Sequence, residues 1–317
     1  MGYHSLIASV ALIASVASVA FCSGVGTSGA QFLRVGVGAR AAGLGGAFSS
    51  LADDVTAIYW NPAGLAQLEK NEASLSYNAY FVDTSAQFLG YAHHSEQGTF
   101  AGSVNMFSVK NIEKRSSTGG DVDTPDGGTF KTQDMAGTIA WARKFEIEDK
   151  NLNVGAGLKY ISSDLGTAKG TAFALDFGAI MPIGEAESVG GGSLQGSLAV
   201  LNLGTKMKFV SESDPLPLNV KPGLAWRRKF AERNFNAVLD ADLLLNDQVN
   251  LINAGAEYWV IEQIGVRAGY QVGRAKGAGA GFAGGLGFKH EGLGIDYAFV
   301  PFGDLGDTHR VSLSYRF

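Results

Sequence analysis

Residue types that carry chemistry are few and scattered in this sequence. Asp240 and Asp242 lie two apart, so in a strand they share a face and have the spacing of a general acid/base pair. Nothing near them supplies a nucleophile, and they read as polar lining of an inward strand face. His93 and His94 are adjacent, so a strand sends them to opposite faces and they form no ready metal pair. Asp121, Asp123 and Asp126 have part of a calcium-loop spacing. Pro125 occupies a ligand position there, and Asp126 stands where the turn needs glycine, so the stretch reads as a solvated acidic loop. Gly24–Gly29 and Gly279–Gly284 each match G-x-G-x-x-G, yet neither lies between a strand and a helix, which excludes a dinucleotide site. The single cysteine, Cys22, ends an N-terminal apolar run, so the mature chain has no disulfide, thiol nucleophile or cysteine metal site. The expectation is a protein without catalytic residues, metal or cofactor.

The elements that any site must rest on are strands. Phe173, Leu175, Phe177, Ala179 and Met181 fall on one face, with Ala172, Ala174, Asp176 and Gly178 on the other. The same period of two recurs down the chain. It starts with Leu75, Tyr77, Ala79 and Phe81, continues weakly in Ala86–His94, and returns in Phe100–Met106, Met135–Trp141 and Leu152–Tyr160. It ends in Leu293–Phe299 and Val311–Phe317. About fourteen such segments occur, each near the ~9–11 residues of a tilted membrane-crossing strand. No segment after the N-terminus holds ~18 consecutive apolar residues, so helical spans are not expected. The fold class is therefore all-β: a transmembrane antiparallel β-barrel of about 14 strands. A soluble β-propeller would need a blade repeat of fixed period, which is absent.

Other features fit that class. Glycine is abundant at 44 of 317 residues, which calls for close packing, tight turns or bulges. The net charge of -5 gives no reason to expect a nucleic-acid partner. If Ala73–Phe81 runs outward, the loops at Lys110–Gly128, Thr205–Leu218 and Gln271–Gly279 are long and outside. Ser95–Gln97, Ile261–Glu262 and His290–Gly292 are short and inside, with Ile183–Gly192 a longer exception. Trp141, Trp226 and Trp259 then fall at inside strand ends, as an interfacial girdle requires, although Trp259 has the parity of the polar face. Residues 1–22 read as a cleaved signal peptide, with cleavage after Ala20 or Cys22. Residues 23–71, rich in Gly and Ala without alternation, read as a hatch inside the barrel, and 72–317 as the barrel itself.

A family resemblance rests on three stretches. Phe32–Phe48 (FLRVGVGARAAGLGGAF) leads to Leu51-Ala52-Asp53-Asp54 and Trp60-Asn61-Pro62-Ala63-Gly64-Leu65. Asn202-Leu203-Gly204 precedes Asp214-Pro215-Leu216-Pro217 and Gly223-Leu224-Ala225. Gly255-Ala256-Glu257-Tyr258 precedes Arg267-Ala268-Gly269-Tyr270. Together these resemble the PorV/PorQ family, itself similar to FadL-type transporters with their Asp-Asp and Asn-Pro-Ala-Gly hatch pattern. The resemblance implies a fourteen-strand outer-membrane barrel with an N-terminal hatch. It also implies a protein-binding role in type IX secretion, with the translocon, cargo C-terminal signal domains and attachment-complex proteins as partners. The alternative is a FadL-like channel for small hydrophobic compounds. Tyr315 and terminal Phe317 resemble the signal read by the barrel-assembly machinery.

The candidate positions also have physical readings of their own. Asp53 and Asp54 can cap a helix beginning near Val55, Asn61-Pro62 favours a turn with Asn61 extended, and Gly64 can take positive φ. Ala63 completes the motif, and these roles are structural rather than ligand-binding. Pro222 falls inside an otherwise good strand and has no N–H for the ladder. Either that strand starts near Gly223, or the wall has a local defect there that serves as a lateral exit or a docking groove.

Overall fold

The computed structural model describes residues 27–115, 125–147, 150–185, 191–230 and 232–317, without the side chains of 115, 125–127 and 185. The expected signal peptide with Cys22, the start of the first glycine motif, and the acidic loop at Asp121 and Asp123 lie outside these residues.

Alternation produces the expected wall. Its strands are β1 (Glu72–Ala79), β2 (Thr84–Ser95), β3 (Gly98–Arg115), β4 (Pro125–Ile147), β5 (Lys150–Asp164), β6 (Lys169–Glu185) and β7 (Ser193–Gly204). After a loop come β8 (Asn219–Phe230), β9 (Arg233–Leu244), β10 (Val249–Trp259), β11 (Ile264–Val272), β12 (Phe282–His290), β13 (Leu293–Pro301) and β14 (Asp307–Arg316). Each pairs antiparallel with its sequence neighbours, and β1 pairs with β14 from Glu72↔Arg316 to Ala79↔His309. The result is a closed fourteen-strand antiparallel barrel, in which no wall strand is left with an open edge.

The faces are inverted relative to a soluble barrel. Outward residues are large and apolar: Leu75, Tyr77, Phe173, Leu175, Phe177, Phe282 and Leu313 are all exposed. Inward residues are small or polar: Ala172, Ala174, Asp176, Ser74, Ser76 and Asn78 are buried. A continuous apolar exterior over a polar interior is stable where the exterior meets lipid. Among the described residues no helix is long and apolar enough to cross a membrane.

Three expectations need correction. The stretch Lys110–Gly128 is not mainly loop: β3 continues to Arg115 and β4 starts at Pro125, with register shifts between Val109 and Ile112 and between Glu113 and Arg115. Beyond the hydrocarbon both strand faces meet water, so the alternation that marks a strand disappears. Trp259 does not join an outward girdle; it is buried on the inward face over Lys289, 4.2 Å from its ring, as its parity required. Pro222 lies within β8, which begins at Asn219 and not near Gly223.

Residues 27–71 fold as short pieces: a 3-10 turn at Gln31–Arg34, helix α1 (Ala39–Gly43), helix α2 (Ala57–Trp60) and a 3-10 turn at Pro62–Gln67. They supply most of the main apolar cluster, including Leu44, Phe48, Leu51, Val55, Ile58, Trp60 and Leu65.

Candidate functional site

The N-terminal segment touches inward faces on nearly opposite sides of the ring, at positions where wall glycines make room. A Cβ at Gly155 of β5 would lie 2.4 Å from Pro62 C, and one at Gly178 of β6 would lie 1.9 Å from Asn61 Oδ1. Across the lumen, a Cβ at Gly269 of β11 would lie 2.1 Å from Gly45 N. Several wall glycines are therefore contact surface for this segment.

The Asn-Pro-Ala-Gly motif is consumed by that packing. Asn61 is extended at φ -165 before Pro62, its Oδ1 accepts from Ala63 N at 3.1 Å, and its Nδ2 donates to Ser49 O at 3.1 Å. Gly64 is not at positive φ, contrary to expectation. It is required because a Cβ there would stand 2.2 Å from Ala52 O. Asp53 caps no helix. Asp54 Oδ1 accepts from Thr56 N at 2.9 Å, one residue before α2.

Both aspartates turn to Arg40, which sequence reasoning missed. Arg40 donates to Asp53, lies 3.3 Å from Asp54, and donates Nε and Nη2 to the two oxygens of Glu257 on β10, each at 2.9 Å. Glu257 also receives Arg267 Nε of β11 at 2.7 Å, and Arg267 in turn meets Asp296 of β13 at 2.7 Å. Burial alone would raise the Asp53 carboxyl, but Arg40 and Arg227 outweigh it and hold it down to about 2. This buried fork spans the N-terminal segment and the wall, and its removal from one side leaves uncompensated charge. Its only sequence signal is charge at inward parity in β10, β11 and β13.

Asp240 and Asp242 are both buried but act apart. Asp240 Oδ2 accepts from Phe48 N at 2.7 Å and Ser49 N at 2.6 Å, fastening the segment to β9. Asp242 pairs with Lys221 Nζ at 2.7 Å. His93 and His94 both approach Asn71 Oδ1, His93 through its ring and His94 through its backbone N–H. Among the described residues no group of three or more His, Cys, Asp and Glu is placed to hold a metal.

On the long-loop side of the segment lies a cavity of about 570 Å³. Tyr59, Trp60, Tyr80 and Phe302 give it aromatic walls, and Arg274 and Arg310 face it with no carboxylate partner among the described residues. Arg274 lies 4.8 Å from the Phe302 ring and Arg310 5.3 Å from the Tyr80 ring. Burial, then the neighbouring Arg310, lowers the Arg274 pKa, and the buried Arg310 Nε has no hydrogen-bond partner. Such a pair favours an acceptor or an anion between or beside the two groups.

The cavity meets the wall at Lys221. There β8 pairs with β7 through Lys221↔Ala199 and Pro222↔Leu198, but its ladder to β9 passes from Val220↔Leu243 to Gly223↔Asp240. Lys221 and Pro222 therefore interrupt one side of the pairing, as the missing proline N–H dictates. At the other seam, Phe317 exchanges backbone hydrogen bonds with Asn71, and its ring stacks with Tyr315 at 5.6 Å and Tyr91 at 6.4 Å, all three facing outward.

Comparison with known proteins supplies the wider setting. The sequence model of an uncharacterised protein family (UPF0164) matches residues 4–173. Two UPF0164 proteins of Treponema pallidum (strain Nichols) are each 30% identical, over 122 and 141 residues, covering 38% and 44% of this chain and 36% and 35% of the relatives. A third is 25% identical over 243 residues, 69% of this chain and 54% of the relative. This chain thus spans about a third to a half of the length of those relatives. Among solved structures, the toluene transporter TbuX of Ralstonia pickettii superposes with a TM-score of 0.56 at 13% identity, over 89% of this chain and 98% of that one. The toluene transporter TodX of P. putida gives a TM-score of 0.55 at 12% identity, over 89% and 99%. These likenesses show a FadL-like barrel fold.

Proposed function

Starting from a chain that belongs to the uncharacterised protein family UPF0164, we propose an outer-membrane channel for small hydrophobic and amphipathic compounds, with the N-terminal segment as hatch. The observation that carries this reading is the aromatic cavity on the long-loop side of the hatch, which reaches the wall where Lys221 and Pro222 interrupt the β8–β9 ladder. A cargo entering between the loops meets Trp60, Tyr59 and Phe302 for its apolar body and Arg274 and Arg310 for an acidic or accepting head. The interrupted ladder gives an apolar cargo a sideways route to lipid without passage through the polar lumen. The two fold relatives are toluene transporters, and small aromatic compounds are the first cargo class to test. No catalytic step is assigned to the chain.

Equilibrium binding tests the cavity. Purified protein should bind aryl carboxylates and neutral monoaromatics, and Arg274→Met with Arg310→Met should lose the acids while keeping the neutral compounds. Wild-type protein that binds neither class defeats the proposal.

The second reading is a protein-binding component of type IX secretion. It is supported by the N-terminal resemblance and by apolar tips at the long-loop end, where Val82, Val210 and Leu305 are exposed to a soluble partner. Tagged protein drawn from membranes would then carry translocon subunits, cargo C-terminal signal domains or attachment-complex proteins. In either reading the protein reaches the outer membrane through a cleaved signal peptide and inserts through the barrel-assembly machinery, which reads Tyr315 and Phe317.

A further inference from the structure

Two hairpins at the short-turn end of the barrel are built alike. β4 ends in Trp141-Ala142-Arg143-Lys144-Phe145 and β8 in Trp226-Arg227-Arg228-Lys229-Phe230, the same W-x-R-K-F stretch. In each, strand parity sends Trp, Arg and Phe outward and the lysine to the other face. The outward set continues the apolar wall, in which Ile139, Phe145, Phe230 and Leu239 are exposed.

The two sites agree in detail. Trp141 Nε1 donates to Gln97 O at 3.2 Å and Trp226 Nε1 to Gly191 O at 3.1 Å, so each indole is pinned to the connection of the neighbouring strand pair. The Arg143 guanidinium lies 5.7 Å from the Phe145 ring and the Arg228 guanidinium 4.3 Å from the Phe230 ring. Across the hairpin a second cation shares the face: Lys150 opposite Ile147, and Arg233 opposite Phe230. At the second site Trp226, Phe230 and Phe235 close into one aromatic cluster, with ring centroids 5.6 to 6.3 Å apart. Neither Arg143 nor Arg228 meets a carboxylate among the described residues.

An outward arginine on a membrane wall costs free energy unless its head reaches the interface and finds an anion there. The tryptophans mark that interface, where phosphate groups of lipids lie. A planar guanidinium held over an aromatic ring still presents its N–H groups for bidentate contact with phosphate oxygens. We propose that these two hairpins are paired binding sites for anionic phospholipid headgroups of the leaflet at the short-turn end. Trp and Phe at each site border the acyl chains, and the Arg with its cross-strand cation takes the phosphate. The inference uses the wall and its faces alone, and holds whatever the barrel carries.

Tryptophan quenching in vesicles tests it. The protein is reconstituted in phosphatidylcholine containing either acyl-brominated phosphatidylglycerol or the same fraction of brominated phosphatidylcholine. Trp60 and Trp259 are buried and give a constant background, so the signal reports Trp141 and Trp226. A cation near a membrane surface enriches anionic lipid about fivefold, and quenching by the anionic lipid should exceed quenching by the neutral one accordingly. Arg143→Gln with Arg228→Gln should bring the ratio most of the way to one, leaving only the share held by Lys150 and Arg233. Lys144→Gln with Lys229→Gln, which removes equal charge from the same hairpins, should leave it unchanged. A wild-type ratio of one overturns the proposal whatever the variants do. So does a ratio that survives the arginine changes or falls equally with the lysine changes.

Discussion

Gly269→Ala adds one methyl group to the wall where the backbone of the N-terminal segment presses against it. The added Cβ would stand 2.1 Å from Gly45 N and 2.1 Å from Leu44 C, where ordinary contact begins near 3.4 Å. Both neighbours are backbone, so no rotamer change relieves the overlap, and the segment must withdraw by more than about 1 Å. Overpacking of this kind costs roughly 1–3 kcal/mol. At about 2 kcal/mol the ratio of seated to unseated segment falls about thirtyfold. The wall itself tolerates alanine, as Ala268 beside it shows on the outward face. Planar-bilayer recording should show open events rising by that order, while Gly137→Ala, whose Cβ meets nothing within 4 Å, behaves as wild type. Equal conductance for all three proteins would refute the claim that the segment at Leu44–Gly45 closes the lumen.

Further outcomes follow from the same contacts. Arg40→Met leaves Glu257, Asp53 and Asp54 without their shared cation; breaking a buried pair from one side costs roughly 3–5 kcal/mol, so limited proteolysis should cut within residues 27–71 while the barrel keeps its heat-dependent gel shift. Asp53 is held down to about 2, so its ionised form stabilises the seated N-terminal segment fully above the ordinary carboxylate value near 3.8 and loses that effect as pH falls toward 2. The conductance gap between Asp53→Asn and wild type should therefore be constant from neutral pH to about 4 and close below it; a gap that closes near neutral pH contradicts the assignment. Pro222→Val restores a ladder donor, and the variant should assemble normally yet transport more slowly; unchanged transport leaves the interrupted ladder without a role. Deleting Phe317 removes its paired backbone bonds to Asn71 and should slow assembly, seen as reduced surface abundance.

How much of this was legible in the sequence depended on whether a residue's partner is local. The outward faces were legible because Phe173, Leu175 and Phe177 meet lipid while Ala172, Ala174 and Asp176 meet the lumen, and period two records that directly. The extended ends of β3 and β4 were not, because strands wetted on both faces lose their alternation. Gly64 was assigned a backbone freedom it does not use; its need comes from Ala52, whose approach no sequence pattern reveals. Arg40 escaped notice because Glu257 lies 217 residues away. Pro222 left two readings open, because a missing N–H is a local fact but the strand boundary is not; the strand begins at Asn219, and its ladder to β9 passes over Lys221 and Pro222. The repeated W-x-R-K-F stretch was visible as letters, but only the faces of β4 and β8 give it a meaning.

Transport itself is measured most directly as uptake of labelled monoaromatic and aryl-carboxylate compounds by cells carrying this barrel in an outer membrane faced with lipopolysaccharide. Wild-type barrel should speed uptake over cells with an empty vector, and Arg274→Met with Arg310→Met should slow the acids alone. Uptake equal to the empty-vector cells, with folded barrel present at the surface, would contradict a channel function.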